Sequence, residues 1–401
     1  MKNTILVLVM LMMVTASAVA QKKELSEAKT YIKSGKNLDK AETLLRKVIA
    51  MPEQAVKVDN HVLLADVMRK QYEQSNEKLY LRQLSDTAKI FPLLIRMFQT
   101  YETLDSVDAL PDKKGRVDIR YRKKNGEYLN TFRPNLFQGT IFSMRQKKYQ
   151  EALNCVDAYM ECHRQPLFAQ FNYAETDTLR FKAAYWGVMA ARQLCNYDAI
   201  ARYEDMAQQY EQRAPHVVSV LYEAYLQKGD TAKAVGFLRR GFSKYSEHPF
   251  FFPRLVDYYS SRNQIDTVKA IVDRALELEP GNQFYRMARN TVQLNMGEYD
   301  NCIILGDSLL HTNDKMSVAY LNVGSAYFNK ALLREKQGKE SKKKRKEVNA
   351  FYEKAMPYLE KFRQLRPKSQ ERWAPMLYTI YLNLNQGEKF DEIDNLIKSH
   401  K

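Results

Sequence analysis

The chain has 401 residues and a formal charge of +16, with 45% hydrophobic and 27% charged residues. That apolar share excludes a disordered chain, and 14 glycines and 12 prolines are too few for an all-β protein of this length. No stretch after residue 20 is continuously apolar, so no transmembrane helix is expected once the leader is removed.

Residues 1–20, MKNTILVLVMLMMVTASAVA, read as a cleaved secretory signal. Lys2 gives the positive start, Ile5 to Val14 an apolar run too short to span a bilayer, and Ala18-Val19-Ala20 the small-residue cleavage pattern before Gln21. No cysteine follows the cleavage point until Cys155, so a periplasmic protein that is not a lipoprotein is expected.

From residue 21 to 166 helical patterning is present but degenerate, as in LDKAETLL (Ala41, Leu45) and KKYQEALNCV (Ala152, Val156). A basic segment near 110–130 interrupts it. Lys113 to Lys124 holds seven basic residues against one acid, VDIRY alternates like a short strand, and Asn125-Gly126 suggests a turn. Cys155 and Cys162 lie two turns apart on one helix, roughly 10 Å by helical rise, too far for a disulfide. Cys162-His163 reads as a packed thiol beside a surface imidazole. Leu167 to Thr178 is a second interruption.

Next comes a repeat of 34 residues. Cys195, Gly229, Asn263 and Gly297 mark its turns; Tyr197, Thr231, Ile265 and Tyr299 form a column two residues later. Ile200, Ala234, Val268 and Cys302 form a small or β-branched column. Tyr225, Tyr259 and Tyr327 form a third, with Gln293 out of character. In NQIDTVKAIVDRALELEPGN, apolar residues at helical spacing run to Pro280-Gly281, which ends the helix. Arg286 and Arg289 stand where the pattern wants apolar residues, so irregular packing is expected there. After Asn329 about twenty residues are inserted before Asn349. This insertion, near 330–348, reads as two helices prolonged past the core and joined near Gly338. Arg334 to Lys346 carries eight basic residues against two acids. All three interruptions are expected to be surface loops. Removing Lys342 to Lys346 is expected to leave stability unchanged.

Each unit is expected to be two antiparallel helices that bury their apolar faces only by stacking on neighbours. The pattern resembles the tetratricopeptide repeat, W-x2-L-G-x2-Y, then A-x3-F, then P. AYLNVGSAY matches its first half with Tyr320, Val323, Gly324 and Tyr327. FYEKAMPYLEKFRQLRP matches its second half with Ala355, Leu359 and Pro367. The resemblance implies an all-α, right-handed superhelix of helix pairs, degenerate over 21–166 and regular over 167–401. It further implies a concave groove lined by first helices that binds a protein or peptide. By register Tyr185, Met189, Arg192, Ser219, Glu223, Asp257, Ser261, Thr291, Asn295, Ser325 and Asn329 would face it. This set lacks the basic and asparagine residues by which chaperone-adaptor members of the family clamp a carboxylate.

The six histidines show no metal-binding spacing, and no nucleophile elbow, phosphate loop or dinucleotide fingerprint occurs. The expectation is therefore a non-enzymatic scaffold of a Gram-negative periplasm, with no cofactor and no metal. The alternatives are glycan binding through the 26 tyrosines, or docking of the basic patch Lys342, Lys343, Lys344, Arg345 and Lys346 on an acidic envelope surface. Nucleic acid is an improbable partner for an exported chain.

Overall fold

The computed structural model describes residues 21–81 and 87–398; the expected signal lies outside them. Among the described residues there is no strand. The chain divides into two compact units, one ending at Ala234 and one beginning at Val235. The first contains α1 (helical over 21–34), α2 (Leu38–Ile49), α3 (Pro52–Ala55), α4 (Val58–Tyr80), α5 (Ile90–Asp108) and α6 (Arg122–Asn130). It continues with α7 (Arg133–Arg145), α8 (Tyr149–Glu161), α9 (Tyr173–Thr176), α10 (Arg180–Gln193), α11 (Tyr197–Ala207) and α12 (Ala214–Lys228). Helix α13 (Thr231–Lys244) carries the division. The second unit goes on with α14 (Phe251–Ser260), α15 (Ile265–Leu278), α16 (Gln283–Asn295), α17 (Tyr299–Thr312), α18 (Ser317–Lys336), α19 (Lys342–Leu365), α20 (Gln370–Asn383) and α21 (Gly387–Lys398).

The repeat is written into the backbone. Cys195, Gly229, Asn263 and Gly297 all have positive φ, between 52° and 87°, and a helix starts two residues after each of them. At each turn the next amide donates back into the preceding helix in the Schellman pattern: Asn196 to Ala191, Asp230 to Tyr225, Gln264 to Tyr259 and Glu298 to Gln293, at 2.9–3.0 Å. Gln293 thus takes the column's backbone role without its side chain. The same turn recurs past the insertion, at Asn385 with Gln386 donating to Tyr381 at 2.9 Å. It also occurs at Lys147, with Lys148 donating to Ser143 at 2.9 Å. Lysine in a left-handed position is uncommon, which hides this one turn from the sequence pattern. The N-terminal repeats are nevertheless helix pairs: α1 packs on α2, α4 on α5 and α7 on α8.

Packing follows the columns. Ala152, Ile200, Ala234, Val268 and Cys302 are buried. Gly324 of α18 faces Leu359 of α19, and Ala355 is fully buried in the same stretch of α19. A Cβ on Gly324 would meet Leu359 Cγ at 2.7 Å, so only glycine fits. Helix α15 ends at Leu278, and Glu279 leaves helical geometry at φ −135° before Pro280. The expected irregularity at Arg286 and Arg289 is absent: α16 and α17 pack as a pair, Arg286 donating to Ser308 Oγ at 2.9 Å and Arg289 pairing with Asp273.

Several expectations are overturned. Val117 to Tyr121 forms no strand, because no described segment pairs with it. Its end is instead held by the Asp108 carboxylate, which accepts the amides of Arg120 and Tyr121 at 2.7 and 3.0 Å. Asn125-Gly126 lies inside α6, not in a turn. Nor are the interruptions merely surface loops. Leu129, Leu167, Phe168 and Tyr173 are buried, and so are Ala331 and Val348 in the third. That third segment does form two prolonged helices joined through Gly338, at φ +68°. Lys344 within it is buried; its Nζ donates to the Gly338 carbonyl at 3.4 Å and pairs with Glu340 at 3.2 Å. Lys344 therefore holds the turn, so the expectation that all five cations are dispensable does not extend to it, and its removal is expected to destabilise the turn.

Candidate functional site

The expected groove residues fall into two groups. On α10, Tyr185 is buried, packed against Trp186, Tyr210 and His216 with ring centroids 5.0–6.1 Å apart. Met189 is half-buried beside it. Arg192 is paired with Glu223 of α12, and Ser219 Oγ donates to the His216 carbonyl at 2.8 Å. In the first unit, then, Tyr185 and Arg192 of α10 are committed to His216 and Glu223 of α12. These two pairs join α10 to α12, while Ser219 bonds within its own helix.

In the second unit Asp257 of α14 and Asn295 of α16 line one cleft of about 220 Å³. Ser260, Thr291, Pro253, Val256, Met287 and Phe284 complete its wall, with Val268 of α15 behind. Phe284 is 55% exposed and rests edge-on against Phe252, centroids 5.6 Å apart. Asn282 fixes its position by capping α16, accepting the Phe284 amide at 2.9 Å. Thr291 Oγ1 accepts from Asn322 at 2.9 Å. The result is an apolar floor between two consecutive first helices with an acid and an amide on its rim. Ser261 is exposed at the end of α14. Asn329 and Ser325 are half-buried on α18, outside this cleft.

Two further arrangements escaped the sequence reading. A cleft of about 640 Å³ in the first unit is lined by second helices: Phe91, Ile95 and Glu102 of α5, Glu151, Asp157 and Glu161 of α8, and Arg202 of α11. Burial, then the neighbouring Glu161, pushes the Glu102 carboxyl up to about 7. Arg202 pairs with Asp157 at 3.0 Å and Arg164 with Glu161 at 2.6 Å, which leaves the cleft of mixed sign.

The second is a buried cluster. Asp177 accepts from Arg133 at 2.6 Å and from the Tyr159 hydroxyl at 2.8 Å, and contacts His163 Nε2 at 3.0 Å. The Arg133 guanidinium lies 3.8 Å from the ring centroids of both Tyr159 and Tyr173. Burial would raise the Asp177 carboxyl, but the hydrogen bonds from His163, Arg133 and Tyr159 outweigh it and hold it far below the usual carboxylate range. His163 is therefore a largely buried partner of an acid, not a surface imidazole. Cys162 beside it is a packed free thiol, as is Cys155. The cluster fastens the 166–178 segment to α7 and α8. The Asp177 carboxylate spends its bonding capacity on Arg133, Tyr159, His163 and the Leu179 amide, while Arg133 Nε is buried without a hydrogen-bond partner among the described residues. Among the described residues no group of three or more His, Cys, Asp or Glu could hold a metal ion.

The tyrosine columns carry repeated braces. Tyr225 donates to Glu204 at 2.6 Å while Lys233 donates to the same carboxylate at 2.7 Å. Tyr381 donates to Glu360 at 2.9 Å while Lys389 donates to it at 2.7 Å. In both, the acid stands 21 residues before the tyrosine and the lysine eight after. These rings are committed to joining helices.

No protein-family model matches the chain, and no curated protein does. Among solved structures the chain is similar to the TPR domain of P58(IPK), at 12% identity over 92% of this chain and 99% of that one, with a TM-score of 0.27. It is also similar to yeast Tom70, at 12% identity over 95% and 91%, with a TM-score of 0.33. A third similarity is to a monomeric IFIT1 mutant solved with Gppp-AAAA, at 10% identity over 84% and 68%, with a TM-score of 0.26. Overlap that low bears on neither fold nor function. The chain's tetratricopeptide-like fold rests on its own recurring turn, helix start and packing column.

Proposed function

We propose that this chain is a non-catalytic protein-binding scaffold, exported to the periplasm of a Gram-negative bacterium, that takes an extended segment of a partner in the cleft between α14 and α16. The observation that supports this is the exposed Phe284 floor framed by Asp257 and Asn295. An apolar side chain of the partner would seat on Phe284, Val256 and Met287. Asn295 can then both donate to and accept from the partner's backbone, and Asp257 can accept from it. Glycan binding is not favoured, because the tyrosines of the repeating columns are buried or bonded within the fold.

Site-specific photo-crosslinking in cells tests the reading. A photoreactive residue at Phe284 is expected to give a discrete adduct that Asn295→Ala and Asp257→Ala weaken. The same residue at Ile304, 70% exposed on the second helix α17, is expected to give none. Equal labelling at both positions, or none at Phe284, sinks the cleft as the binding site. Export is tested separately: protein released by osmotic shock should begin at Gln21, and recovery only from the cytoplasm with Met1 intact would refute it.

A further inference from the structure

The chain's two most basic segments carry the same net charge, +6 each, but differ in how many of their cations are paired and in what presents the rest. The first leaves Lys113, Lys114, Lys123 and Lys124 exposed without an ion pair among the described residues, split between an irregular stretch and the start of α6. In the first, the arginines are committed to acids: Arg116 to Asp112, Arg120 to Asp108 and Arg122 to Asp105. In the second, Arg334 pairs with Glu347 and Lys344 with Glu340, while Lys336, Lys339, Lys342, Lys343, Arg345 and Lys346 are exposed and make no ion pair among the described residues.

These six cations sit on a built prong. Helices α18 and α19 run 20 and 24 residues, where the other helices from α14 onward run 10 to 14. The base of the prong is packed by Ala331, Val348 and Tyr352, which continue the core that Ala355, Leu359 and Trp373 build. Ser341 caps α19 by accepting the Lys344 amide at 3.1 Å, and the Lys344 ammonium holds the Gly338 turn from within. The first turn of α19 contains no acid. Cations there oppose the helix dipole, which favours negative charge at an N-terminus. The arrangement therefore works against helix stability while concentrating positive potential at a fixed tip.

We propose that this prong docks the protein on an anionic phospholipid surface. The composition of the tip decides between lipid and an acidic protein. From Arg334 to Glu347 there is no hydrophobic side chain. A stable protein interface is built on desolvated apolar and aromatic anchors and is depleted in lysine. A diffuse layer of phosphate headgroups needs neither anchors nor shape, only several cations held within a Debye length of the surface. The prong supplies those and lacks the rest. This docking is independent of the α14–α16 cleft.

The test is co-sedimentation of the mature full chain with vesicles of phosphatidylcholine, with and without phosphatidylglycerol. Binding is expected only to the anionic vesicles and is expected to fall steeply with added salt. Changing Lys339, Lys342, Lys343, Arg345 and Lys346 to glutamine, with Lys344 kept, should weaken it at least about tenfold, since each cation near such a surface contributes ~1 kcal/mol. Changing the same residues to arginine should preserve it. A control removes equal charge from the exposed lysines in and just after α1, Lys22, Lys23, Lys29, Lys33 and Lys36 taken to glutamine, and should bind as the wild type does. Melting curves and circular dichroism show that each variant is folded; if the glutamine set unfolds, pairwise glutamine variants replace it. No preference for anionic vesicles overturns the proposal. So does equal loss in the control, which would reduce the effect to net charge, or retention on polyglutamate without vesicle binding.

Discussion

At the scale of single residues, the Arg133–Asp177 pair shows how a charge can be buried without loss of the fold. Both side chains are 7% exposed; the carboxylate is met by Arg133, Tyr159 and His163, and the guanidinium by the carboxylate and the two flanking rings, with only its Nε left unbonded. Removing one partner leaves the other buried and unpaired, so Asp177→Ala is expected to cost about 3–5 kcal/mol in urea unfolding. The pH dependence has a definite sign. The Asp177 carboxyl titrates lower in the folded chain than its unfolded value of ~3.9, so its stabilisation is complete above that value. It is lost as pH falls through the lower, folded value. The gap between wild type and Asp177→Asn should therefore be constant from neutral pH down to about 5 and close only in acid. A gap that closes near neutral pH would mean that another group controls the cluster. Ala234 poses the opposite problem, since it has no exposed surface. Ala234→Leu must displace its neighbours and should cost about 1–3 kcal/mol; an unchanged melting temperature would show room that the packing denies, and the same holds for Ala355.

At the scale of elements, the recurring brace makes equivalence measurable. Tyr225–Glu204–Lys233 and Tyr381–Glu360–Lys389 share spacing and bonding although the tyrosines stand 156 residues apart, four periods of 34 plus the twenty inserted. Each hydroxyl donates to a carboxylate, so Tyr225→Phe and Tyr381→Phe should each cost about 1.5–3 kcal/mol by denaturant titration. The two networks share no residue, so the double variant should cost the sum. Clearly unequal costs would show that the insertion changes the packing of α20 and α21 behind it. In that case those two helices would not be a true continuation of the repeat.

At the scale of the whole chain, free thiols give a readout of each unit. Cys155 and Cys162 in the first unit and Cys302 in the second are buried, and burial raises each thiol to about 12. Cys195 is exposed at a left-handed turn. Because the thiolate is the reactive form, the native protein should react rapidly at Cys195 alone, and at all four cysteines once unfolded. Repeats touch chiefly their neighbours, so the buried thiols should become reactive over different ranges of urea, the mark of stacks that open in parts. Rapid reaction of Cys302 in the native state would contradict the packing of α17 against α18.

The sequence alone determined the repeat, because the 34-residue spacing of its turns is a local property. A residue that must adopt positive φ, a helix start two positions later and a small side chain three beyond that are all set within a few residues. The same register also brought Asp257 and Asn295 to one cleft. Tertiary structure decided what depends on partners far along the chain. Asp177 meets Arg133 across 44 residues, so neither charge could be read as buried. Phe284 is exposed because α14 and α16 leave its outer face uncovered, which no spacing within α16 reveals. VDIRY has the alternation of a strand, but a strand needs a neighbour to bond, and only the fold shows that none lies there among the described residues. The two basic segments are alike in composition and charge. What separates them is placement: the first has all three of its arginines paired to Asp105, Asp108 and Asp112, while the second gathers its unpaired cations around the joined ends of two long helices. Local geometry is encoded locally; burial and charge pairing are relations between distant residues, and those belong to the folded chain.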